Sequence, residues 1–82
     1  MPTVLRQGPY RFFFYSNENS EPPHIHVERD DGHAKFWLGP VTLANSGGFR
    51  SHELAALLTI VIANRDLFER SWNEHFGPPR HP

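Results

Sequence analysis

The chain has 82 residues, with 8 basic and 9 acidic side chains, no cysteine, and a formal net charge of −1 when its six histidines are neutral. That length suits one domain close to the lower limit for a self-sufficient core. A chain without cysteine has neither a disulfide framework nor a thiolate metal site, and its balanced charge gives no bulk electrostatic attraction for nucleic acid. The longest apolar stretch, Leu54 to Ala63, is interrupted by Thr59 and is too short to span a bilayer. With no charged-then-apolar leader, the expectation is a cytoplasmic protein with no membrane attachment.

Thr3-Val4-Leu5-Arg6 is a short β-prone run, and Gln7-Gly8-Pro9 marks a turn. Tyr10-Arg11-Phe12-Phe13-Phe14-Tyr15 is almost wholly aromatic and reads as a strand. With period two, Tyr10, Phe12 and Phe14 take the core face, while Arg11, Phe13 and Tyr15 take the wetter one. Ser16 to Pro23 is polar and then proline, which predicts an ordered surface loop.

The stretch Glu21-Pro22-Pro23-His24-Ile25-His26-Val27-Glu28 organises the rest. The prolines end the loop and deliver the chain extended, since they cannot donate to a sheet ladder. Alternation then places His24, His26 and Glu28 on one face of a strand and Ile25 and Val27 on the other. Asp31-Gly32 is the natural two-residue turn to a second strand, Ala34-Lys35-Phe36-Trp37-Leu38. This turn predicts the pairs Glu28–Lys35, Val27–Phe36, His26–Trp37 and Ile25–Leu38. Gly39-Pro40 ends that strand, Val41 to Ala44 makes one more, and Asn45-Ser46-Gly47-Gly48 reads as a loop.

From Ser51 the period becomes helical. Ser51 is the expected N-cap, and Glu53 lies in the first turn, where the helix dipole favours a carboxylate. Leu54, Leu57, Leu58, Val61, Phe68 and Trp72 fall near one stripe, widened by Ile60, Ala63 and Leu67, and Gly77-Pro78-Pro79 stops the helix. One helix of about two dozen residues, ~35 Å long, is expected to cover the sheet. The whole is a single α+β domain. Strands and loops occupy 1–48, an antiparallel sheet of three to five strands; the long C-terminal helix occupies 49–76 and a Pro-rich tail 77–82.

The uncovered face of that sheet would gather Arg11, Phe13, Tyr15, His24, His26, Glu28, Lys35 and Trp37. Three readings are open for it. It is the wet side of an ordinary strand pair, a partner or ligand surface, or a reactive site. Neighbours on one strand face lie roughly 6.5 Å apart, so His24, His26 and Glu28 could hold a divalent metal. No other cofactor is indicated. Without metal, His24, His26, Glu28 and Lys35 supply the types for acid–base work, as in RNA cleavage at the 2′-hydroxyl, with Arg11 for phosphate. Trp37, Phe13 and Tyr15 could stack bases. If all six histidines were protonated the charge would move from −1 to +5, so mild acid should change the surface; His81, in the tail, is not expected to take part.

Several of these segments carry a resemblance. Met1-Pro2-Thr3-Val4, the strand Tyr10 to Ser16, Glu21-Pro22-Pro23-His24-Ile25-His26-Val27, Ala34 to Leu38 and the helix with Asn64 and Trp72 resemble the bacterial "domain of unknown function 4160" family. Pro-Pro-His-x-His is the most specific of them. The resemblance implies membership of a small two-gene, toxin–antitoxin-like operon, hence a small partner protein encoded nearby. It also raises the weight of an RNA-related activity. The expected function is therefore an interaction module using the His/aromatic face at Arg11, Tyr15, His24, His26 and Trp37, with self-association possible. The alternative is a small ribonuclease or metal-dependent hydrolase centred on His24, His26 and Glu28.

Overall fold

A computed structural model describes residues 3–15 and 20–77. The expectations for Met1-Pro2, for Ser16 to Asn19 of the loop and for the 78–82 tail, His81 included, lie outside them.

Among the described residues one antiparallel sheet runs in chain order: β1 (Thr3–Gln7), β2 (Tyr10–Phe13), β3 (His24–Arg29), β4 (Gly32–Leu38) and β5 (Val41–Gly47). Two helices follow, α1 (Ser51–Ala63) and α2 (Arg65–Phe76), and both contribute to the core on one face of the sheet. The fold is α+β, with five strands and a helical layer in two pieces. Alternation works as expected. Phe12, Phe14, Ile25, Val27, Ala34, Phe36 and Leu38 close against Leu57, Val61, Phe68 and Trp72. Phe12 stacks on Phe68 with centroids 5.6 Å apart, and Phe14 meets Trp72 edge-on at 5.5 Å. Each such side chain, fully buried, stabilises the fold by roughly 1.5–3 kcal/mol before entropy is counted.

The register of the β3–β4 hairpin differs from expectation. The pairs are His24–Trp37, Ile25–Phe36, His26–Lys35, Val27–Ala34, Glu28–His33 and Arg29–Gly32. The turn is Asp30-Asp31, with Asp30 in the left-handed region at φ 51°. Aspartate tolerates that conformation, so glycine is not needed there. Gly32 is needed for space instead, because a Cβ on it would lie 2.6 Å from Phe49 Cε1. The slip is two residues, an even number, so each side chain keeps its face. The core survives the error, but Glu28 and Lys35 are not direct partners.

β5 is longer than expected. Ala44 is the extra residue of a bulge between the Phe36–Leu43 and Lys35–Asn45 pairs, after which Ser46 faces Ala34 and Gly47 faces His33. A Cβ on Gly47 would meet His33 Cε1 at 2.6 Å, so this glycine reports a close approach within a strand rather than a loop.

The single long helix is corrected too. Asn64, at φ −110° and ψ 17°, separates α1 from α2, and its side-chain amide donates to the Ile60 carbonyl at 2.9 Å. The apolar stripe lapses here, since Asn64 and Arg65 lie between Val61 and Phe68. Arg65 turns this lapse to use, its Nε donating to the Leu38 carbonyl at 2.7 Å at the end of the sheet. At the start of α1 the N-cap is Arg50, with extended backbone (φ −83°, ψ 161°), and Ser51 is the first helical residue. Glu53 is in the first turn as expected and accepts the Arg50 N–H at 3.5 Å. It also accepts from the Arg29 guanidinium and the Tyr10 hydroxyl, tying α1 to β2 and β3. Burial pushes the Glu53 carboxyl up, but the Arg50 N–H, Arg29 and Tyr10 outweigh it and hold it below the ordinary value. Arg29 is raised in turn, chiefly by its hydrogen bond to Glu53. At the other end Gly77, at φ 86°, terminates α2 and its N–H reaches the Asn73 carbonyl at 2.7 Å.

Candidate functional site

The face of the sheet turned away from the helices is assembled row by row. Phe13, His26, Lys35 and Asn45 lie across one row, and Arg6, Arg11, Glu28 and His33 across the next. The side chains lie flat and stack. The Arg11 guanidinium sits 4.3 Å from the Phe13 ring centroid, donates from Nε to Thr3 Oγ1 at 2.8 Å and forms an ion pair with Glu28 at 2.8 Å. Phe13 stacks near-parallel on His26 at 5.5 Å, and Tyr15 meets His26 edge-on at 4.9 Å. Farther along, Lys35 Nζ lies 4.5 Å over the Trp37 ring and pairs with Glu21. A cation over a ring contributes about 0.5–1 kcal/mol where exposed, and more where desolvated.

The candidates named from sequence therefore divide. Arg11, Phe13, Tyr15, His26, Glu28, Lys35 and Trp37 share this face. His24 departs from it: it has no exposed surface, and its ring is wedged between Trp37 (5.6 Å) and Trp72 of α2 (4.8 Å), against His26 at 5.0 Å. Its Nδ1 lies 2.9 Å from the Pro22 carbonyl. A carbonyl only accepts, so Nδ1 carries the proton and donates. The expected solvent-facing His24 is thus corrected to a buried one. The reason lies in the position: His24 opens β3 where Pro22-Pro23 and the end of α2 close over the sheet.

The metal geometry fares no better. Glu28 is engaged by Arg11, His24 is turned inward, and among the described residues no three of His, Asp and Glu converge as a metal site requires. Of the four reactive candidates, His24, His26 and Lys35 are neighbours, with His24 against His26 at 5.0 Å and His26 opposite Lys35 in the register. Glu28 and Lys35 belong to separate ion pairs, with Arg11 and with Glu21.

Sequence reasoning missed two features. One is the part played by Glu21, whose position before Pro-Pro is the only sequence hint of it. The other is a cleft of about 340 Å³ lined by Pro22, Pro23, Trp37, Gly39, Pro40, Thr42 and Glu69. Its walls come from three separate stretches, 22–23, 37–42 and Glu69, so no single stretch of sequence displays it. Beside Arg6 and Arg11, a more polar depression of about 540 Å³ includes Glu28 and Asp30.

The model of the family described as "Domain of unknown function (DUF4160)" matches residues 10–73. The chain belongs to that family. The DUF4160 span runs from the first residue of β2 into the last turn of α2, so it takes in the stacked face, the buried His24 and Trp72; β1, with Thr3 and Arg6, lies outside it. No curated protein and no solved structure matches the chain. Among the described residues no helix is long and apolar enough to cross a membrane.

Proposed function

We propose that this DUF4160 domain is an interaction module that grips a small partner protein with the stacked face of its sheet. One observation carries the reading: among the described residues the core-forming helices lie on the other face from Arg11, Phe13, Tyr15, His26, Trp37 and Lys35, and in this strip Arg11 lies on the Phe13 ring, itself 4 % exposed, and Lys35 on the Trp37 ring. Pre-stacked aromatic and arginine side chains lose little freedom on binding, and they dominate the hot spots of protein interfaces. Tyr15 is 40 % exposed, and the Trp37 cleft gives a partner side chain a place to anchor. The setting we infer is a two-gene, toxin–antitoxin-like operon in the cytoplasm, an inference that rests on family membership. The ribonuclease or hydrolase alternative draws less support. It relies on His24, whose ring is buried and committed to Pro22, and on Glu28, committed to Arg11.

Co-expression of the chain with the product of the adjacent reading frame, followed by calorimetry on the purified pair, tests this. Trp37→Ala and Tyr15→Ser should each weaken binding at least tenfold with the circular dichroism spectrum unchanged. Undiminished binding by both variants would refute the assignment of this face, and cleavage of a single-stranded RNA by the parent, lost in His26→Gln, would replace it with the enzyme.

A further inference from the structure

We propose that the cleft beside Trp37 is filled, until a partner takes it, by the chain's own segment Pro78-Pro79-Arg80, with Arg80 paired to Glu69. The docking concerns this one chain. Its consequence, competition for Trp37, rests on the partner-binding role of the stacked face.

The cleft suits a particular kind of guest. Pro22, Pro23, Trp37 and Pro40 give it flat, rigid walls, and among the described residues its lining carries one charge, the Glu69 carboxylate. Proline-rich segments in the polyproline II conformation dock on aromatic walls because they have little freedom left to lose. A guanidinium both stacks on an indole and matches a carboxylate. Glu69 has capacity for one. Its contact with Arg65 at 3.3 Å joins side chains that are 35 % and 44 % exposed, and such surface pairs hold weakly. Arg65 is also held elsewhere, by the Leu38 carbonyl.

The sequence supplies this guest within reach. Pro78-Pro79-Arg80 follows Gly77 directly. Glu69, Asn73 and Phe76 stand at i, i+4 and i+7 of α2, so they share one stripe of the helix, and all three are half-buried. The chain therefore leaves α2 at the end of the stripe that carries Glu69 into the cleft. Gly77 sets the exit. A Cβ there would meet nothing within 4 Å, so this glycine is required by its φ of 86° and not by space. Glu69 lies eight residues before it, roughly 12 Å at about 1.5 Å per helical residue. Three residues of polyproline II reach about 9 Å, and the long Arg80 side chain spans the rest. A tethered segment meets its cleft at an effective concentration on the order of millimolar, so weak contacts are enough to fill it. A foreign segment lacks that advantage.

Nuclear Overhauser contacts in the full chain, without partner, should join the Pro78 and Pro79 rings to the Trp37 indole. Arg80→Glu and Glu69→Arg should each abolish them, and the double variant, with the charges exchanged, should restore them. The peptide Gly-Pro-Pro-Arg-His-Pro, added to the Arg80→Glu variant, should shift the Trp37 indole resonance saturably. With the cleft filled about nine-tenths of the time, Arg80→Glu should bind the partner about tenfold tighter than the parent does. Missing contacts in the parent, contacts that survive Arg80→Glu, or a double variant that fails to restore them would overturn the docking. Contacts found only between labelled and unlabelled copies would give the cleft to a second copy and overturn it too. Equal partner affinity for the parent and Arg80→Glu would overturn the competition. If neither binds the partner, the reading of the stacked face fails, and the ring contacts still decide the docking.

Discussion

On the helix side of the sheet, Phe12, Phe14, Ile25, Val27, Phe36 and Leu38 are cut off from water by Leu57, Val61, Phe68 and Trp72. On the other side no helix arrives among the described residues, and Arg11, Phe13, His26, Trp37 and Lys35 shield one another by lying flat, ring on ring and cation on ring. The same strands and the same alternation produce both surfaces. One is closed by apolar area contributed from distant sequence. The other is closed by neighbours on the sheet itself, so closely that Phe13 is only 4 % exposed while Tyr15 is 40 % exposed. The two tryptophans mark the contrast: Trp72 is 5 % exposed within the core, whereas Trp37 is half-buried at the mouth of a cleft. His24 sits at the seam and touches both.

The contrast breaks if the two faces respond alike to truncation. Phe36→Ala and Trp72→Ala should each cost about 3–5 kcal/mol in a denaturant titration, because a large buried side chain leaves a cavity. Against a total of roughly 5–15 kcal/mol for a native domain, either variant approaches unfolding. A near-parental midpoint for either would mean the helix side is not the core.

The seam gives the next largest effect. His24→Gln should cost roughly 1–3 kcal/mol, through the lost Pro22 hydrogen bond and the misfit between two indole rings. His26→Gln, from the half-buried stack, should change stability by less than about 1 kcal/mol while impairing partner binding. Equal losses from the two substitutions, measured by urea unfolding, would put His26 in the core with His24.

Acid should expose the clamp between the sheet and α1. The folded value of Glu53 lies below its ordinary one, so its contribution is present above the ordinary value and fades as pH falls through the depressed one. Glu53→Gln should therefore melt below the parent at neutral pH, and the gap should close as the solution is acidified. A gap independent of pH would assign the loss to packing. The smallest effect belongs to Lys35→Ala. Its ion pair with Glu21 is on the surface side, so the cost should stay under about 1 kcal/mol. The same change should still alter Trp37 fluorescence by removing the cation from the ring.

Much of this was legible from residues alone. Period-two alternation put Phe12, Phe14, Ile25, Val27 and Phe36 on one face and Arg11, Phe13, Tyr15, His26 and Trp37 on the other, because a pleated strand has no third choice. Helical spacing marked Leu57, Val61, Phe68 and Trp72 as core in the same way. What the chain could not disclose locally was anything decided by a distant segment. Gly32 reads as a turn residue until Phe49 is laid over it, and Gly47 as a loop residue until His33 is. Asn64 and Arg65 look like ordinary helical surface until the Leu38 carbonyl arrives as a hydrogen-bond partner and the helix divides. His24 satisfies every local rule for a solvent-facing position. Its burial was settled by Trp72, forty-eight residues later, and by the Pro22 carbonyl turned back onto its ring. Local pattern determines which face a side chain takes, since that follows from backbone geometry. Whether that face is then covered depends on what the rest of the chain brings to it, and only the tertiary structure decides that.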